Sequence, residues 1–442
     1  MHRKIRYLAG LLSLILTLSA TSCVELRDSD SDGWSIPGYR DDTPADETSD
    51  NKTGADSVAA EDARHAESTP DSGAADDSTI IEEEPAADTE PIVEEPEDPY
   101  SDVDISFLAA GDGLVHPNIY LDAQLRGNAE KEYDFLPMLA DVREYIEAAD
   151  IAFINQETVM AGEEYGYSGY PMFNCPRQLG LDLVATGFDI INIANNHMLD
   201  MGTAGLADTM DFWNSQPVTL LGAFSDEEDA GEIRVISADG IDIALLSYTY
   251  GTNGLVKSAA SPIVIPYIDD ELILSDLEKA RGLADFIIVS MHWGYENNTA
   301  ENDEQRRLAS LLAENGADAI IGHHSHCLQP IEWIETERGR TICIYSLGNF
   351  FSGMAYPINH VAGMFTFRIV GDGNGGLTVA EPKLIPTVFY FGMDYYNTHI
   401  YLLDDYTPEI ASSHGVAITG YTLPVDKARA IVTDVIDSEF LD

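Results

Sequence analysis

From residue 103 onward the chain alternates short apolar runs with amphipathic stretches of helical spacing. "VDISFLAAGD" predicts a strand ending at Gly111-Asp112. A helix over Phe135 to Ala148 precedes "ADIAFINQE", a second strand with polar residues at its C-terminal end. "GFDIINIANNH" repeats that plan and is followed by a helix from Thr203. "IDIALLSYTYG" is a fourth such strand. A helix around Asp269 to Leu283 leads to "ADFIIVSMHWG", and one around Glu301 to Asn315 leads to "ADAIIGHHSH". "TICIYSLGNFF" closes the series. Many of these strands are apolar on both faces, the pattern of sheets covered by a layer on each side.

The polar residues gather where the predicted strands end: Asp112, Asn155 and Glu157, Asn195 to His197, His292, His323 to His326, and Ser346 to Asn349. In open α/β sheets that edge is where ligands bind. Residues far apart in the chain are therefore expected on one rim, within a domain spanning 101–442 (core about 103–395, extension 396–442).

The first hundred residues follow other rules. "MHRKIRYLAGLLSLILTLSATSC" has a basic start, an apolar stretch and small residues before Cys23, the plan of a secretory leader over 1–23. The cysteine after Ser19-Ala20-Thr21-Ser22 resembles a bacterial lipobox, which predicts a lipid-anchored protein on the extracellular face of the cell membrane. Ordinary cleavage near Ala20 and an uncleaved anchor are the other readings. Residues 24–100 are dominated by Asp, Glu, Ala, Ser, Thr and Pro, a composition that cannot bury enough apolar surface to fold and predicts a disordered acidic linker.

Composition sharpens the choice of partners. The chain holds 77 acidic and 23 basic residues among 442, a formal net charge of -54. Such a surface repels phosphate backbones and excludes nucleic acid as a partner class. An anionic substrate would need a metal ion or a local basic pocket. Cys175, Cys327 and Cys343 show no zinc-knuckle spacing and are expected as small buried residues.

The rim offers carboxylate, amide oxygen and imidazole, the donors that Mn, Fe and Zn accept: Asp112, Glu157, Asn196, His292, His324 and His326. His324 and His326 would alternate to one side of an extended segment, with His323 turned away, as either a ligand or a supporting group. A carboxylate shared between two cations would hold them about 3.5–4 Å apart, as in two-metal hydrolases.

Taken in order, "GD", "NQET", "ANNHMLDMG", "HWGYE", "GHHSHCLQPIE" and "YSLGNFF" resemble the successive blocks of the poly-gamma-glutamate capsule biosynthesis family (CapA-like proteins) of the calcineurin-like metallophosphoesterase superfamily. The resemblance implies a four-layer α/β/β/α sandwich with a metal centre at the strand ends. It makes Asp112 the first metal-binding aspartate and places Glu157 near the usual bridging carboxylate. Asn196 would ligate metal, and His197, with Asp200 of the same block, would assist the leaving group. His292, His324 and His326 would complete the ligands. Asn155, Asn195, His323, Glu296, Gln329, Ser346 and Asn349 would support them or touch substrate.

Two positions depart from the superfamily pattern. Leu114 stands where its first block has histidine, the nearest being His116, and Asn155-Gln156-Glu157 replaces a Gly-Asp pair. The expected function is a divalent-metal hydrolase holding one or two ions and acting on an anionic envelope polymer or a phosphate ester, with a membrane synthase complex as partner. The other reading is a non-catalytic polymer-binding component of that complex.

Overall fold

Two mixed sheets lie face to face, and strand register decides which side chains fill the space between them. The computed structural model describes residues 98–441; the expected leader, Cys23 and the acidic segment as far as residue 97 lie outside the described residues. In chain order the strands are β1 (Asp104–Leu114), β2 (Ile151–Asn155), β3 (Ile190–Asn192), β4 (Thr219–Leu221), β5 (Arg234–Ala238), β6 (Ile241–Thr249) and β7 (Phe286–His292). Then come β8 (Ala319–His323), β9 (Ile331–Thr336), β10 (Gly339–Ile344), β11 (Asn349–Ser352), β12 (Val361–Gly371), β13 (Leu377–Tyr390) and β14 (His399–Leu402). The first sheet runs β14-β13-β12-β1-β2-β3-β4, with β11 beside β1, and the second runs β5-β6-β7-β8-β10-β9. Strands β1 to β4 pair in parallel, as do β6, β7, β8 and β10.

Successive side chains on a strand face opposite ways, and here that alternation divides each strand between two cores. Ile105, Phe107 and Ala109 of β1 pack between the sheets with Phe153, Ile190, Ile243, Leu245, Phe286, Ile288, Ile321 and Ile344. The intervening Leu108, Ala110, Ala152, Ile154 and Ile191 pack outward on helices Gln178–Thr186 and Gly202–Asn214, through Leu179, Leu206, Met210 and Trp213. On the second sheet Ala244, Leu246, Ile287, Val289 and Ile320 meet Ile273, Leu277, Leu308 and Leu312 of helices Asp270–Arg281 and Asp303–Glu314. The layers are helix, sheet, sheet, helix, as expected. Full burial of each aliphatic side chain contributes about 1.5–3 kcal/mol, so truncation of Ile288 between the sheets would cost about 2–5 kcal/mol.

Some expected elements differ. The helix expected over Phe135 to Ala148 is a 3-10 turn, Leu136–Leu139, and a separate helix, Arg143–Ala148. Pro137 suits only a first turn, and the Asp182 carboxylate fixes the entry by accepting the Phe135 N–H at 2.9 Å. "TICIYSLGNFF" is not one strand: β10 ends in the second sheet, and the chain crosses at Gly348 (φ +72°) to put β11 in the first. The extension from residue 396 belongs to the same unit as the core, with Leu423, Ala428, Val432, Ile436 and Phe440 packed into the layer between the sheets.

Candidate metal centre

The layer between the sheets is apolar along most of its length and turns polar where the parallel strands end. In the first sheet Asp112 lies in register with Asn155, and Asn155 with Asn192. In the second, Thr249 lies in register with His292, and His292 with His323. Asp112 reaches this face because the β1–β2 register slips between Ala110 and Asp112. Without that bulge the alternation would turn Asp112 toward the helices. The slip requires Gly111, where a Cβ would collide with the carbonyl oxygen of Gly348, which instead accepts the Asp112 N–H at 2.9 Å.

Around this polar end the donors fall into overlapping groups: Asp112, Glu157 and His326; Glu157, His292 and His324; and Glu296, His324 and His326, each within 4.8 Å. Glu157 is central, with one oxygen toward each of two sets. Its Oε1 lies 3.7 Å from His292 Nε2, which is itself 3.0 Å from Asn196 Oδ1. Its Oε2 lies 3.9 Å from His326 Nδ1, which is 3.5 Å from Asp112 Oδ2. Ligands bound at 2.0–2.2 Å around one small cation stand about 3–3.5 Å apart, so this spacing fits a divalent ion in each set. Both Glu157 oxygens are buried and have no hydrogen-bond partner, as does His292 Nδ1. A buried carboxylate left so is costly unless a cation compensates it.

The electrostatics agree. Burial drives the Glu157 carboxyl well above its ordinary range, with Asp112 and Glu296 adding to the push and His326 opposing it. Burial also raises Asp112, but the imidazoles of His323 and His326 outweigh it and hold that carboxyl well below its usual range. His292 is depressed by burial and by His324, and His324 falls to about 3 through burial and His326, so both are neutral donors at neutral pH. His326 is opposed by burial yet rises to about 10, because Glu157 and Asp112 face it. A cation would replace the proton that His326 otherwise keeps.

The six expected ligands thus converge, though not always as expected. His324 and His326 do not alternate along an extended segment: β8 stops at His323, and the two histidines have left-handed backbones, φ +90° and +58°. Backbone of this kind costs energy in a non-glycine residue and is concentrated at functional sites. His323 does not point away either. It is the last inward-facing residue of β8, stacked on Phe153, with Nδ1 3.3 Å from Asp112 Oδ1.

His197 donates through Nδ1 to Asp200 Oδ2 at 2.8 Å, and the Phe173 N–H also donates to that oxygen at 2.6 Å. The pairing commits Nδ1 of His197 and leaves Nε2 as its remaining ring nitrogen. Asn155 donates to Asp112 Oδ1 at 2.7 Å, and Asn349 Oδ1 sits 2.9 Å from His326 Nδ1. Asn195, Gln329 and Ser346 do not reach the centre. Asn195 ties its own loop to the Gln156 carbonyl, Gln329 pins the carbonyls of Asn298 and Ala300, and Ser346 accepts the Gly348 N–H. Asn195 Oδ1 also accepts the His197 N–H at 3.1 Å, so these residues support the rim through the loops that carry it. Glu296 is exposed at the mouth. Leu114 is buried, and His116 does not stand in for the missing imidazole, since its Nδ1 accepts the Gly353 N–H at 3.1 Å.

Four contributors were absent from the expected set. Asn192 and Ser247 extend the support of Asp112: Ser247 donates to Asn192 at 2.5 Å, and Asn192 donates to Asn155 at 2.9 Å. Tyr250 covers His324, with ring centroids 4.5 Å apart, and Asn253 accepts from Asn196 at 3.2 Å. The end of "IDIALLSYTYG" lies on the same rim as the other strand ends, which is the signal that could have found Ser247 and Tyr250.

The model of the family described as "Bacterial capsule synthesis protein PGA_cap" matches residues 106–354, which include all six converging donors. The chain belongs to this family. It is 33% identical over 194 residues to the PGA biosynthesis protein CapA of Bacillus subtilis (strain 168), covering 43% of this chain and 50% of that one. The capsule biosynthesis protein CapA of Bacillus anthracis is 29% identical over 198 residues, covering 44% and 47%. The chain thus spans about half the length of these curated capsule-synthesis relatives. A 5'-nucleotidase precursor from Thermus thermophilus superposes with a TM-score of 0.39 at 13% identity, over 75% of this chain and 58% of that one.

Proposed function

We propose that this capsule-synthesis family member is a metal-dependent hydrolase that acts on an anionic envelope polymer of the poly-gamma-glutamate type, or on a phosphate ester linked to it. The observation that carries the reading is Glu157, a buried carboxylate whose two unpartnered oxygens each face a separate set of donors. Asp112, Glu157 and His326 would hold one ion, and Glu157, Asn196, His292 and His324 a second, drawn from Mn, Fe or Zn. Bound there, such ions would polarise the scissile group and lower the pKa of a bound water. Asp200 holds His197 in one tautomer and orientation, and His197 Nε2 carries the proton to the leaving group. Asn155 fixes Asp112, which narrows the geometry available to the ions.

The leader and Cys23 motif support a lipid-anchored location on the outer face of the membrane, with a synthase complex as neighbour. The test measures bound Mn, Fe and Zn in the purified protein. It then follows hydrolysis of a phosphodiester and of poly-gamma-glutamate before and after His324→Ala. Metal in the wild type and loss of turnover in the variant are expected. A metal-free wild type, or turnover indifferent to His324→Ala, would sink the reading.

A further inference from the structure

The third donor group contains a carboxylate with a different character. Glu296 is exposed, yet one of its oxygens lies within 4.8 Å of donor atoms of both His324 and His326. It makes no hydrogen bond and no ion pair among the described residues. Its loop is held rigidly. The Asn297 N–H donates to the Ser325 carbonyl at 2.8 Å, Asn359 donates to Asn297 Oδ1 at 2.9 Å, and Gln329 grips the carbonyls of Asn298 and Ala300. Left-handed residues on either side, Gly294 (φ +88°) and Asn297 (φ +60°), turn the loop so that Glu296 stays at the mouth. No Lys or Arg among the described residues pairs with Glu296 or with the six donors. The entrance therefore adds a fixed negative charge and offers no lysine or arginine to an incoming anion.

Resting on the hydrolase reading, we infer that Glu296 selects the scissile group by charge, admitting a phosphodiester or an uncharged amide and disfavouring a terminal phosphate. A fixed charge acts on an incoming group in proportion to that group's charge. Its removal therefore helps a dianion by the square of the factor by which it helps a monoanion. The Glu296→Gln change keeps the size of the side chain and lies on the surface, where the fold does not depend on it.

The test loads wild type and Glu296→Gln with manganese, measures the manganese retained, and follows the phosphorus NMR broadening of two probes. These are inorganic phosphate, in alkaline buffer where it is dianionic, and dimethyl phosphate, a monoanion. Glu296→Gln is expected to keep its manganese, to bind phosphate about tenfold more tightly and dimethyl phosphate about threefold more tightly. Equal gains for the two probes, or none, with manganese retained, overturn charge selection alone. Loss of manganese in Glu296→Gln only would make Glu296 a ligand and overturn it as well. A wild type that takes up none of manganese, iron and zinc in separate loadings overturns the hydrolase reading, and this inference with it.

Discussion

Ser247 on β6 of the second sheet donates to Asn192 on β3 of the first, at 2.5 Å. Asn192 passes the contact to Asn155 and Asn155 passes it to Asp112, all four being buried. The two sheets are thus joined by a polar bond at the point where the apolar layer between them ends, and that bond terminates on a candidate metal ligand. Partners behind a ligand tune affinity by about 10–100-fold, and a buried hydrogen bond contributes about 1 kcal/mol. Ser247→Ala should therefore lower manganese affinity by about tenfold or more while costing the metal-free protein only about 1 kcal/mol. Titration calorimetry and urea unfolding of the same sample separate the two effects. Unchanged affinity would show that the relay is structural only.

Glu157 carries a sharper expectation, because both donor sets share it. A ligand that binds only the folded state at a hundred times its Kd stabilises by about 2.7 kcal/mol. Chelation should accordingly lower the melting temperature of the wild type. Glu157→Gln removes the charge that both ions would share, so its melting temperature should not respond to chelator. Thermal unfolding with and without chelator reads this directly. A Glu157→Gln protein that still responds as strongly as the wild type would place the ions elsewhere.

The legibility of the centre in the sequence follows from the same geometry. Strands and their polar ends are local patterns, so Asp112, Glu157, Asn196, His292, His324 and His326 could be read from where each apolar run stopped. Facing directions could not. His323 is turned inward by the parity of β8, and Asp112 by a bulge that depends on Gly348, a residue brought alongside only by the fold. Asn192 and Ser247 were hidden for a related reason. Their side chains are polar positions in runs otherwise built for packing, and the partners that give them a role lie on other strands, across the fold. Gln329 and Ser346, polar residues next to the motif, contact loop carbonyls and amides, a placement that the sequence pattern alone could not specify.

Acid should weaken the fold through histidines that the centre does not use. His414 is 1% exposed; its Nε2 donates to the Phe389 carbonyl at 3.0 Å while its Nδ1 accepts the Val416 N–H at 3.0 Å. Both nitrogens are therefore committed to the neutral ring, and burial lowers its pKa to about 4. In the unfolded chain a histidine titrates near 6.5, so between those values the unfolded state binds the extra proton. The contribution of neutral His414 is complete above pH 6.5 and declines as pH falls toward 4, by up to about 3 kcal/mol at 1.36 kcal/mol per unit. His360, whose ring centroid is 5.0 Å from that of His414, is also depressed by burial and by its neighbour, and loses stability in the same direction. His414→Gln cannot take up that proton. It should be less stable than the wild type at neutral pH, yet lose less between about pH 6.5 and 4.5. Urea midpoints at several pH values give the comparison, and parallel acid slopes for the two proteins would rule His414 out as a source of acid lability.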